Sequence, residues 1–128
     1  MKKITLTGRI VEGEGMATGL GCPTANLAIE QGVVIPGLGV YVGEAELDGK
    51  RFPSLICVND GRTGHNLKME VHLIGQNMNL NGRQMDVSLL EKMRGLVPYD
   101  EEIMKPLIQE DLIRAREWFE KRGYSIPA

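Results

Sequence analysis

Ile4, Leu6 and, past Gly8, Ile10 keep a period of two, which predicts an opening strand with one face in a core. Val40 and Val42 begin another strand. Asp48-Gly49 follows it, a dipeptide suited to the positive φ angles of a two-residue hairpin, and Arg51 to Val58 reads as the returning strand. Pro53 has no N–H to give to a ladder, so it belongs on an edge or at a bulge. The clearest alternation is Leu67 to Leu73, with Leu67, Met69, Val71 and Leu73 on one face and Lys68, Glu70 and His72 on the other. Gln84 to Leu90 alternates again through Met85, Val87 and Leu89 after the Asn81-Gly82 turn. Beyond Pro98 the period changes: Ile108, Leu112, Ala115 and Phe119 form an amphipathic helical stripe, Glu110 and Arg114 an i,i+4 pair, and Gly123 a stop. Pro106 is tolerated in a first turn, so the main helix is expected to start near it, with Glu101 to Met104 as a separate short turn. Short strands punctuated by glycine and followed by one helix predict a small closed or nearly closed antiparallel barrel, all-β in class, with the helix packed against it.

Composition narrows the function. The chain has 128 residues and a net charge of -2, and 42% of it is hydrophobic, which fits one domain with its own core. Its pI of about 5.7 and six aromatics supply neither the basic groove nor the stacking platforms of a nucleic-acid binder. Cys22 and Cys57 have no ligand-like spacing, and two cysteines make no disulfide framework. The alternating N-terminus lacks the apolar core of a signal peptide, and no stretch approaches a membrane span. The expectation is a cytoplasmic protein that binds neither membrane nor nucleic acid.

Two segments carry candidate chemistry. Gly13, Gly15, Gly19 and Gly21 are dense enough for backbone N–H groups to converge on an anion, although the spacing is neither a dinucleotide fingerprint nor a Walker A loop. A phosphate loop and a flexible turn both fit. Next, Pro23 stiffens the backbone that presents Thr24 and Asn26, which share one face if the segment is extended. A hydroxyl and a carboxamide suit Mg2+ completed by water and phosphate oxygens; they equally suit a turn that satisfies its own backbone. Glu70, on the polar face of its strand, reads either as a general base or as a solvated carboxylate paired with Lys68.

Gly21-Cys22-Pro23-Thr24-Ala25-Asn26-Leu27 closely resembles the G-F-P-T-A-N-L signature of riboflavin kinases. Pro36-Gly37-Leu38-Gly39-Val40-Tyr41 resembles the family's P-x-x-G-V-Y turn and strand, and Glu70-Val71-His72 its E-x-H strand. Leu80-Asn81-Gly82 is similar to its L-Y-G turn, and Met93-Arg94 to the L-R that ends the last strand. Tyr99 and Asp111 match positions flanking the start of the helix. The resemblance covers nearly the whole chain, read as one domain over 1–128, and is in particular to the C-terminal half of bacterial bifunctional riboflavin kinase/FAD synthetases; the expectation is a standalone kinase domain, which would stop at FMN. It implies a six-stranded antiparallel Greek-key barrel with a trailing helix, and a monomer that phosphorylates riboflavin with ATP and Mg2+ to give FMN and ADP. Thr24 and Asn26 would organise the metal, Gly13, Gly15, Gly19 and Gly21 the phosphates, and Glu70 the hydroxyl proton. Arg62 and Arg94 would stand on the flavin side, and His72 would be a structural hydrogen-bonder.

Several positions depart from the family pattern. Thr18 stands where a basic residue is usual, and the N-x-G-x-x-P-T loop is reduced to Asn59-Asp60-Gly61-Arg62-Thr63. Asn79-Leu80-Asn81-Gly82 lacks the acid and the aromatic of its counterpart, and Leu96 replaces a glutamate. These changes touch substrate loops more than metal and base positions. The alternative they leave open is a non-catalytic flavin- or nucleotide-binding paralogue of the same barrel.

Overall fold

The structure, a computed structural model, describes residues 4–11, 25–29, 37–59, 68–76, 80, 82–98 and 100–126. Six strands, β1 (Ile4–Val11), β2 (Ala25–Ile29), β3 (Gly39–Leu47), β4 (Lys50–Asn59), β5 (Lys68–Leu73) and β6 (Gln84–Arg94), precede one helix, α1 (Glu101–Glu120). The strands close into an antiparallel barrel in the order β1-β2-β5-β4-β3-β6, so the expected Greek-key barrel with a C-terminal helix is what the chain forms.

Alternation along each strand builds two cores. Leu6, Ile10, Leu27, Tyr41, Ile56, Val58, Met69, Val71, Met85 and Val87 point inward and fill the barrel. On the outer face, Val40, Val42, Leu55 and Ile74 pack against Ala115 and Phe119 of α1, with Cys57, Leu90, Met93, Leu112, Trp118 and Tyr124 around them. Strands β3 and β4 are thus apolar on both faces, which identifies them as the layer between barrel interior and helix. Tyr41 places its ring inside and donates its hydroxyl to the Gly37 carbonyl at 2.8 Å, which satisfies the polar end of a buried side chain.

The hairpin between β3 and β4 turns on Asp48 at φ 50° and Gly49 at φ 79°, the pair of left-handed residues that a two-residue primed turn requires. Pro53 sits where β4 runs past the end of β5, whose last residue Leu73 pairs with Ser54. Its carbonyl accepts from the Ile74 N–H on that side, so its missing donor points away from β3 and leaves the β3 ladder whole. Where β3 crosses β6 the register shifts beside Gly43, and a Cβ there would collide with the Ser88 carbonyl and Ile56 Cδ1. Only a residue without a Cβ fits this close approach of the two strands.

One expectation needs correction: α1 is continuous from Glu101, with Pro106 inside it, instead of starting near Pro106 behind a separate short turn. The five-residue β2 is the strand that alternation did not mark, and β6 ends at Arg94, as the Met93-Arg94 resemblance implied. The Asp100 side chain accepts from the Glu102 N–H and caps the helix a turn earlier than expected. Pro106 and Glu102 are both exposed, so the carbonyl deprived of its partner by the proline faces water. At the other end Gly123, at φ 85°, lets the Tyr124 N–H reach the Phe119 carbonyl and its own N–H the Glu120 carbonyl.

Candidate active site

Barrel closure sets a row of residues side by side around the outside of the molecule. Val11 of β1 pairs with Asn26 of β2, Asn26 with Glu70 of β5, Glu70 with Cys57 of β4, Cys57 with Val40 of β3, and Val40 with Arg94 of β6. Directly opposed residues in a sheet point to the same side, so Asn26, Glu70, Cys57 and Arg94 share the outer face. Each step is about 4.8 Å. Asn26 and Glu70 are immediate neighbours, and Arg94 lies three strands beyond Glu70, at the helix.

Glu70 is half-buried. The Asn59 amide Nδ2 donates to its Oε2 at 3.2 Å and also approaches Cys57 Sγ at 3.6 Å. Burial pushes the Cys57 thiol up to about 11, with the negative charges of Glu70 and Asp111 adding to the rise and Asn59 and Arg94 opposing it. This wall beside the carboxylate is therefore neutral over the physiological range. Arg94 donates from Nε to Asp111 Oδ1 at 2.9 Å and from Nη2 to Oδ2 at 2.7 Å, while Nη1 reaches the Gly95 carbonyl at 2.9 Å. Asp111 is 4% exposed and holds the guanidinium more firmly protonated than usual, chiefly through these hydrogen bonds. His72, two residues along β5 from Glu70 and on the same face, is buried.

The structure thus brings Asn26 and Glu70 together and ties Arg94 to the helix. Thr24, Gly13, Gly15, Gly19, Gly21, Arg62 and Tyr99 lie outside the described residues. Sequence reading took Asn59 only as the start of a loop and gave Cys57 no place. Both follow Leu55 at alternate positions, and that spacing was the available signal that they share a face. Asp111 was marked only by the family resemblance, because an acid beside an apolar stripe reads as solvated.

Among the described residues, no group of three or more His, Cys, Asp or Glu side chains is arranged to hold a metal, and no helix is long and apolar enough to cross a membrane. A cation here would rest on few protein oxygens and on a ligand's own phosphates. The Asn26 carboxamide beside a carboxylate is the kind of hard-oxygen donor Mg2+ accepts.

A family model described as riboflavin kinase matches residues 1–119. Among curated proteins, the bifunctional riboflavin kinase/FMN adenylyltransferase of Escherichia coli (strain K12) is 34% identical over 129 residues, covering 96% of this chain and 39% of that protein. Its counterpart from Pseudomonas fluorescens is 29% identical over 119 residues, covering 87% and 37%. The chain spans about two-fifths of the length of these relatives. Among solved structures, riboflavin kinase from Trypanosoma brucei superposes with a TM-score of 0.69 at 18% identity, over 94% of this chain and 79% of that one. A protein titled macrolide-efflux protein from Streptococcus pneumoniae gives 0.75 at 24% identity, over 89% and 37%. At these identities the two structures establish a shared fold. The family match, running from the first strand almost to the end of α1, is the stronger finding, and on it the chain belongs to the riboflavin kinase family.

Proposed function

We propose that this chain is an ATP-dependent riboflavin kinase, which transfers the γ-phosphate of ATP to the ribityl 5′-hydroxyl of riboflavin and releases FMN and ADP. The observation that carries the reading is the side-by-side placement of Asn26 and Glu70 on one barrel face, in a chain matched to the family over residues 1–119. Glu70 takes the hydroxyl proton as the riboflavin oxygen bonds to the γ-phosphorus and the bond from that phosphorus to the β,γ-bridging oxygen breaks. Asn59 and the neutral Cys57 thiol border the carboxylate, so it meets the substrate in a partly dehydrated setting.

Thr24 and Asn26 are assigned to Mg2+, which when bound neutralises charge on the transferring phosphates. Gly13, Gly15, Gly19 and Gly21 are assigned to the nucleotide phosphates, and Arg62 and Arg94 to the flavin side. On this reading residues 1–128 act as one kinase-like domain, monomeric and cytoplasmic, with riboflavin and ATP as its partners.

The test is incubation with riboflavin, ATP and Mg2+, followed by chromatography for FMN, with CTP and GTP in parallel arms. FMN formation that requires ATP supports the reading. Binding of riboflavin or nucleotide without any FMN would transfer the assignment to a non-catalytic paralogue of the barrel.

A further inference from the structure

We infer that Asn59 is a positioning residue for the Glu70 carboxylate, fixing through Oε2 the orientation in which that carboxylate meets the substrate hydroxyl. This rests on the reading of Glu70 as the base.

The geometry comes from the β4/β5 ladder. Cys57 is directly opposite Glu70, and Asn59 is opposite Lys68, so Asn59 reaches Glu70 on the diagonal. Diagonal pairs are within reach of such side chains. The amide donates to Glu70 Oε2 at 3.2 Å and to Cys57 Sγ at 3.6 Å. Turning the amide over would set its carbonyl oxygen against the carboxylate, so one orientation is selected. Asn59 has a short side chain on the last residue of a paired strand, whereas Glu70 has three rotatable bonds. The stiffer group therefore restrains the more mobile one. A base held in line with its hydroxyl accelerates turnover without strengthening substrate binding, since placement matters at the reacting atoms.

The experiment measures kcat and riboflavin KM for wild type, Asn59→Leu, Asn59→His, Glu70→Gln and the Asn59→Leu/Glu70→Gln pair, with thermal melts throughout. Leu keeps volume and removes the donor; His restores an N–H at Nδ1, near the position of the amide nitrogen. Asn59→Leu is expected to lower kcat by roughly 10- to 100-fold with KM changed less than about threefold, and His to recover most of that loss. In the Glu70→Gln background the Leu substitution should cost nothing further, because residues acting through one group are not additive. If Asn59→Leu does not fold, Asn59→Ala takes its place in the cycle, smaller, uncharged and without a donor. A folded donorless variant with wild-type kcat, or one whose loss recurs in full beside Glu70→Gln, overturns the inference alone. Wild-type turnover in Glu70→Gln overturns the base assignment and the inference with it.

Discussion

Arg94, at the end of β6, and Asp111, on α1, form a two-pronged ion pair with contacts of 2.9 and 2.7 Å, and Asp111 is almost wholly buried. The pair joins the barrel to the helix at the same end of the molecule as Glu70, with Cys57 between them. A buried ion pair gains little over an apolar pair of the same shape, because removing both charges from water is costly. Removing one partner is another matter.

Asp111→Ala is accordingly expected to lower the unfolding free energy by about 3 to 5 kcal/mol, since it strands the Arg94 guanidinium beside Cys57 and the helix. Combining Arg94→Met with Asp111→Leu should recover much of that loss. Urea unfolding at neutral pH measures both. A cost below about 1 kcal/mol for Asp111→Ala would show that Arg94 turns to solvent freely.

Cys57 gives a pH signature of stability. Its thiol titrates near 9.0 when unperturbed and near 11 in the fold, where burial disfavours the thiolate. A folded-state value above the unfolded one means that the stabilisation is complete below about pH 8 and declines as pH rises from 9 towards 11, by at most roughly 2 to 3 kcal/mol. Tyr41 and Tyr124, also raised by burial, add their own alkaline slopes, so the measurement is the difference between wild type and Cys57→Ala. Parallel curves for the two proteins across that window would contradict the assignment.

The parts of this molecule that were legible in the sequence are those where one face is apolar and the other polar. Met69, Val71 and Leu73 alternate with Lys68, Glu70 and His72, and β5 forms over Lys68–Leu73 of the stretch read as a strand, Leu67 lying outside the described residues. Strand β2 escaped because five residues after a glycine-rich segment offer too short a period, and Asn26 carried meaning only through its motif. Pro106 misled because its cost depends on whether the freed carbonyl meets water, which sequence alone does not state. The adjacency of Asn26 and Glu70 is a product of strand order, since β2 and β5 are far apart in the chain and neighbours only after closure. Local patterning therefore marks the residues, and barrel topology assembles them.

Asn26→Ala tests the metal assignment. The side chain stands on the outer face rather than in the barrel core, so its loss should leave the thermal melt nearly unchanged. FMN formation should need on the order of tenfold more Mg2+ or greater for half-maximal rate, the scale seen when groups supporting a metal site are removed. Thr24→Ala should abolish nearly all FMN formation at ordinary Mg2+. Unaltered Mg2+ dependence in the folded Asn26→Ala protein would sink the ligand role.

Glu70 is where the kinase and the binding-module readings part. Glu70→Gln keeps the length of the side chain and its capacity to hydrogen-bond, yet it cannot accept the hydroxyl proton. The Asn59 amide can still meet the glutamine carbonyl, so the local ladder contacts persist and any loss of activity reports chemistry rather than collapse. For a general base, kcat at saturating riboflavin and ATP should fall by roughly 10²- to 10⁴-fold while both substrates still bind. For a strand-face carboxylate with no part in the reaction, the substitution should shift stability by less than about 0.5 kcal/mol and leave turnover alone. Single-turnover mixing separates the proton-transfer step from FMN release, so that slow product release does not mask the effect. A folded Glu70→Gln protein that turns over like wild type in that measurement rules out the base assignment.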